Sequence, residues 1–219
     1  MTRTARFLWR FTWANWLTLL IFAGVVFLGS AVTGVPDGTR NMFSIYLGIF
    51  PMMVPMILLL FNLGRCSTFL QLALSFGGQR RNYFLVIQLF LLFDTLLGYG
   101  VLLLLRDIPV TLLWVQVDEL GLLLRNALDW AGWRFPLMIF SQAAMGCVVG
   151  LCLVRSKVLG SILTVLAIFS SLVGLMSLVL LGLLQNPMWI RLLLTILPAG
   201  IAIGSEIYLW WSICRSTVV

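Results

Sequence analysis

Apolar residues run through this chain in long blocks, and the polar positions gather between them. Six blocks cover about 13–34, 42–61, 84–105, 135–154, 158–181 and 192–214. Each is near the roughly 20 residues that a helix needs to cross the hydrocarbon core of a bilayer. The pattern predicts an all-α integral membrane protein with six transmembrane helices in a single membrane domain, 1–219. Pro51 and Pro55 lie inside the second block and predict a bend there.

The polar interruptions carry the remaining pattern. In the leader, Arg3, Arg6 and Arg10 fall at helical spacing on one narrow face, and Leu8, Trp9, Phe11 and Trp13 cover much of the rest. This suits an amphipathic N-terminal helix in the inner interface, with its arginines toward anionic headgroups. A plain positive flank with aromatic anchors fits the same residues equally well. No short apolar region with a cleavage site appears, so the leader is expected to be retained. The longest interruption after the third block, 106–134, contains WVQVDELGLLLRNALDW. Its polar residues Asp118, Glu119, Arg125, Asn126 and Asp129 share about a third of the helical circumference. A helix at the outer membrane surface is expected, either capping an exit path or serving as a structural lid.

Residues 62–84, NLGRCSTFLQLALSFGGQRRNYF, form the most distinctive interruption. From Thr68 to Phe76 the spacing allows a short helix. Phe69, Leu72 and Phe76 share one face, and Gln71 and Ser75 the other. Gly77 and Gly78 can end it, because glycine accepts left-handed backbone angles. Arg80 and Arg81 then sit at headgroup level, and Tyr83 and Phe84 read as interface anchors at the start of the third span.

Charge sets the orientation. The net charge is +7, but the arginines are scattered between blocks and Lys157 is the lone lysine, so a nucleic-acid partner is not expected. With the amino terminus inside, the inner segments hold Arg3, Arg6, Arg10, Arg65, Arg80, Arg81, Arg155, Lys157 and Arg215. The outer ones hold Arg40, Arg106, Arg125, Arg134 and Arg191, together with Asp37, Asp107, Asp118, Glu119 and Asp129. The inner segments hold no acid. Both termini are therefore expected on the cytoplasmic side.

Composition removes several chemistries. The chain is 62% hydrophobic, more than a soluble core of this size can hide. It has no histidine, which excludes His-activated nucleophiles and most zinc sites. Cys66, Cys147, Cys152 and Cys214 show no metal spacing and are expected to be reduced. No metal site is expected. No G-x-x-x-x-G-K-[ST] occurs, so the usual phosphate cradle for ATP is missing.

Two acids lie inside spans, Asp94 in the third and Glu206 in the sixth. A carboxylate there costs at least about 2.5 kcal/mol on insertion scales, so both are candidates for a role in transport. A packing role for a protonated or paired acid is the alternative. No basic residue lies in mid-span to pair with either. Small residues recur at intervals of four: Gln142, Gly146 and Gly150 in the fourth span, Gly200 and Gly204 in the sixth. Ser170, Gly174 and Ser177 in the fifth are similarly spaced. They predict close helix contacts without saying which helices meet.

The stretch ALSFGGQRRNYF resembles the first cytoplasmic loop of permeases in the type-2 ATP-binding-cassette (ABC) exporter family. Ala73, Leu74, Ser75, Gly77, Arg80, Arg81 and Phe84 fit that family's pattern between spans two and three. The resemblance implies that the short helix is a coupling helix, seated in a groove of an ATPase subunit. Phe69, Leu72, Ser75, Phe76, Gly77, Gly78, Arg80 and Arg81 would form that contact. It also implies a second permease chain, identical or homologous, and separate ABC ATPase chains that carry ATP and Mg. The expected setting is a bacterial plasma membrane, and the expected cargo is a peptide or another amphipathic or hydrophobic compound. The outer loop 182–191 is too short for the re-entrant hairpin found in better-known members.

A second class is the substrate-binding membrane subunit of an energy-coupling-factor-type vitamin importer, which is also small, six-spanned and ATPase-dependent. A third is an intramembrane aspartyl enzyme using Asp94 and Glu206, although neither lies in a recognisable motif.

Overall fold

The computed structural model describes residues 6, 9–10, 12–14, 16–17, 20–21, 24–25, 28, 42–69, 80–111, 119–185 and 187–215. Among them, six helices follow a helical leader. They are α1 (Met42–Gly64), α2 (Arg80–Thr111), α3 (Glu119–Ala131), α4 (Arg134–Arg155), α5 (Lys157–Leu183) and α6 (Met188–Trp210). α1 ends in a π-helical turn, Arg65–Phe69, and α6 in another, Trp211–Arg215. Every described residue between 6 and 28 is helical. No strand occurs among the described residues.

Among the described residues, four helical stretches are long and apolar enough to cross a membrane: Arg81–Leu104, Arg134–Arg155, Lys157–Leu183 and Met188–Cys214. A fifth apolar stretch, Met53–Thr68, is shorter. The chain is thus an all-α, multi-pass membrane protein. α4 is the centre of the bundle. Its apolar window is 72% buried, against 33% for α5 and 28% for α6, which turn most of their surface outward.

Small residues on α4 explain its central place. A Cβ on Gly146 would collide with the backbone carbonyl of Leu59, and one on Gly150 would come within 2.5 Å of the Leu63 carbonyl. Backbone therefore lies on backbone where α1 crosses α4, and only glycine permits it. On another face, Gln142 donates from Nε2 to Ser170 Oγ (2.8 Å), and Ser171 Oγ donates to Gln142 Oε1 (2.9 Å). Gly174 faces the Met138 sulfur. Gln142, Gly146 and Gly150 thus serve two neighbours, α5 and α1. A Cβ added to Gly200 or Gly204 would meet nothing within 4 Å, and both glycines lie on the outward face of α6.

These contacts set the helix directions. Leu59 with Gly146 and Leu63 with Gly150 run α1 parallel to α4. Arg134 with Thr195 and Cys152 with Tyr208 run α6 parallel to α4. Met138 with Gly174 and Leu153 with Gly160 run α5 the opposite way. Val54 with Gly98 and Asn62 with Asp94 set α2 antiparallel to α1. Trp9 lies tilted against the rings of Phe90 and Phe93, and Trp16 lies beside Gly98, so the leader runs parallel to α2.

One rim of the bundle consequently gathers Arg6, Arg10, Arg65, Arg80, Arg81, Arg155, Lys157 and Arg215, with no acid among the described residues there. The opposite rim carries α3 and mixed charge. α3 is amphipathic as expected: Ala127, Leu128 and Ala131 are buried, and Asn126 and Asp129 are exposed. Leu123 and Ala127 pack on Gly182 of α5. Gly132, at φ 51°, makes the sharp turn into α4 that a larger residue resists. α1 passes through Pro51 and Pro55 as continuous helix.

Candidate functional site

The two roots of segment 70–79 differ from their sequence reading. The polar interruption was expected to begin at residue 62, but α1 extends to Gly64 and the π turn continues to Phe69. α2 begins at Arg80, a turn before the expected edge. Leu72, Ser75, Phe76, Gly77 and Gly78 lie outside the described residues. Phe69 closes the π turn, Arg80 opens α2, and Arg81 is exposed on its first turn. The leader's Arg3 also lies outside the described residues, and Arg6 and Arg10 are exposed.

Arg65 is the principal surprise. Read as a loop cation, it is 1% exposed and paired with Asp94, itself fully buried. Arg65 Nη1 donates to Asp94 Oδ2 at 2.5 Å and Nη2 to Oδ1 at 3.3 Å, the forked geometry that suits guanidinium and carboxylate. Asp94 therefore does have a basic partner, contrary to expectation. The reason is reach. Arg65 stands one residue past the end of α1, and its long side chain turns back along α2 instead of out to water.

Four further side chains join the cluster: Trp16, Asn62, Thr12 and, from α4, Cys147, whose thiol donates to Asn62 Oδ1 at 3.8 Å. Trp16 Nε1 donates to Asp94 Oδ1 at 2.8 Å. Asn62 is the hub: its Nδ2 donates to the Leu58 carbonyl and to Asp94 Oδ2, while its Oδ1 accepts from Arg65 Nη1 at 2.8 Å. Arg65 Nη2 also donates to Thr12 Oγ1 at 3.0 Å. The guanidinium lies 5.2 Å from the centre of the Phe90 ring, within cation–π range. Within the cluster, only Arg65 Nε has no partner among the described residues. Thr12 and Trp16 bring the leader, Asn62 brings α1, Arg65 the π turn, and Asp94 and Phe90 bring α2.

Tyr83 adds a second tie. Expected as an interface anchor, it is buried instead, and its hydroxyl donates to the Arg65 carbonyl at 2.8 Å. That carbonyl belongs to the first residue of the π turn, at the change from α-helical to π-helical winding. The roots of segment 70–79 are thus joined to each other by the Tyr83 bond and by the ion pair.

Glu206 is held differently. Gln88 Nε2 donates to Glu206 Oε2 at 2.5 Å, and Oε1 is buried without a partner among the described residues. Residue 206 is half-buried at the seam of α2 and α6. Asp94 and Glu206 have separate partners on separate seams, and no contact between them is observed. An aspartyl pair of the enzymatic kind is not assembled here.

Sequence reasoning missed Thr12, Trp16, Asn62 and Tyr83. A signal existed for some: Asn62 and Arg65 are three apart and Thr12 and Trp16 four apart, so each pair shares a helical face. The four cysteines are unbridged, and among the described residues no three metal-ligating side chains converge. Comparison with protein-family models, curated proteins and solved structures finds no match for the chain.

Proposed function

We propose that this chain is the membrane-spanning permease subunit of an ABC exporter, coupled through segment 68–81 to a separate ATPase. On this reading the helical leader, α1, α2, α4, α5 and α6 are the six spans. The basic rim is cytoplasmic, in keeping with the bias of lysine and arginine toward that side. Two permease chains and two ATPase chains form the working unit, in a bacterial plasma membrane. The cargo is a peptide or another amphipathic or hydrophobic compound.

One observation carries the reading. The two roots of segment 70–79 leave the basic rim joined by the Arg65–Asp94 pair and the Tyr83–Arg65 bond. A segment that receives a push from a soluble partner transmits it only if its roots move with the membrane helices. A loop tethered by flexible ends would absorb that motion. Here the roots are tied to α2 and, through Thr12 and Trp16, to the leader. Phe69, Leu72, Ser75, Phe76, Gly77, Gly78, Arg80 and Arg81 form the ATPase contact.

The test is purification of the chain from native membranes, with mass spectrometry for an ABC ATPase. Ser75→Trp and Arg80→Glu are expected to keep the chain folded but abolish cargo-linked ATP hydrolysis. No ATPase in the complex, or unchanged hydrolysis and transport in both variants, would overturn the reading.

A further inference from the structure

No described residue neutralises Glu206. Its Oε2 accepts one bond from Gln88, and Oε1 is buried without a partner among the described residues. Two of the described basic side chains at that end of the bundle are engaged. Arg65 is locked on Asp94, and Arg155 donates to the Ser212 carbonyl. Arg81 is exposed, seven residues and so about 10 Å along α2 from Gln88. A carboxylate held among apolar helices without a cation either meets one from outside or takes up a proton.

The surroundings favour a cation from outside. α2 packs against the terminal π turn of α6 more than against the body of that helix. The Gln88–Glu206 bond bridges the seam between them. On α2, Leu85 and Leu92 lie one turn either side of Gln88; on α6, Ile203 and Trp210 lie one turn either side of Glu206. All four are exposed. A polar pair is thus framed above and below by apolar side chains that face the bilayer. Glu206 is five residues from Trp211, so it sits about 8 Å inside the π turn at the basic rim. That depth suits a polar head drawn just below the interface, with an apolar body lying along the seam.

We infer that Glu206 and Gln88 form a binding site for a cation bearing N–H groups, a primary ammonium or guanidinium, carried on an apolar body. Oε1 is closed off by the packed seam, so the head reaches it as α2 and α6 part, and there it requires a hydrogen-bond donor as well as positive charge, which a quaternary ammonium does not offer. Gln88 positions the carboxylate through Oε2. This rests on the permease reading for one point only: on that reading the cargo is a cationic amphiphile. An aminophospholipid headgroup presents the same chemistry.

The test uses the full chain alone, in phosphatidylcholine nanodiscs. The probes are a tail-labelled fluorescent dodecylamine and the matching alcohol, with empty nanodiscs subtracted. Wild type is expected to bind the amine at least tenfold more tightly than the alcohol, and Glu206→Gln to erase that preference. Equal binding of both probes by wild type, or a preference that survives in Glu206→Gln, overturns the site. A second measurement needs no variant. Dicyclohexylcarbodiimide, which enters membranes and labels carboxyls, is expected to modify Glu206, and the amine to slow that labelling at least fivefold. Labelling that the amine leaves unchanged again overturns the site. In phosphatidylethanolamine nanodiscs, a retained amine preference supports a cargo amphiphile. A lost preference assigns the cation to the lipid headgroup and overturns the cargo assignment. None of these measurements involves an ATPase, so their failure is distinct from failure of the coupling assignment.

Discussion

Asp94 accepts hydrogen bonds from four donor atoms on Trp16, Asn62 and Arg65, whereas Glu206 accepts one from Gln88. Both are carboxylates within apolar helices. One is enclosed by the leader, α1 and α2 and carries its own cation. The other stands half-buried at a seam that faces the bilayer. An acid whose lone pairs are filled from within the chain has little capacity left for a ligand. It holds helices together. An acid with one idle, buried oxygen and no cation keeps that capacity. The presence of a carboxylate in a span therefore says less than the inventory of its partners.

The comparison can be broken first at Asp94. Asp94→Asn or Arg65→Leu leaves one buried group unpaired, at an expected loss of about 3–5 kcal/mol in unfolding free energy. Denaturant titration in mixed micelles measures this. The double variant Asp94→Leu/Arg65→Leu should recover most of the loss, because it removes both charges together. If the double variant is as unstable as the singles, the pair is not what holds the seam.

A smaller effect is expected without touching the cluster. Gly150→Leu drives a side chain into the Leu63 carbonyl and Cys66, and so displaces the helix end that carries Arg65. Overpacking of this kind costs about 1–3 kcal/mol. The Glu206 site, which draws on Gln88 and not on the Asp94 cluster, should keep its amine preference in the same variant. Loss of that preference would mean the two sites are coupled.

Trp16→Phe removes one donor to Asp94 while keeping an aromatic ring. A loss of about 1.5 kcal/mol is expected, the lower range for hydrogen bonds to charged groups, read from the same titration. It also tests whether the leader belongs to the cluster. No change in stability would detach it.

The smallest effect belongs to Glu206→Gln. The amide oxygen can still accept from Gln88, so stability should change by less than about 0.5 kcal/mol, as for a substitution away from tightly packed features. A large loss would place Glu206 beside Asp94 as a structural group and remove the contrast between them.

Much of the fold was legible in residue pattern. The apolar blocks at 84–105, 135–154 and 158–181 each lie within a helix, and 192–214 runs through α6 into its π turn, because a spanning segment has to satisfy its own backbone and does so as a helix. The helix at Glu119–Ala131 was legible from its polar stripe. Gly146 and Gly150 were recognised as contact residues, but their partner was not. Two features misled. Asn62 and Arg65 read as the start of a loop because polarity at the end of an apolar run normally means water. Tyr83 read as an interface anchor for the same reason. Each is polar because a buried carboxylate 32, 29 or 11 residues away needs what it offers, directly or through Arg65.

Local sequence thus determined which segments are helical, which are apolar enough to sit in a membrane, and which end of the bundle is basic. Those properties depend on composition and on a period of 3.6 residues, both visible along the chain. Tertiary structure alone decided that Arg65 turns inward to Asp94, that the leader closes over this pair, and that Glu206 is left with an idle oxygen. The satisfaction of a buried charge depends on donors brought from distant elements, and no local pattern states which of them arrive.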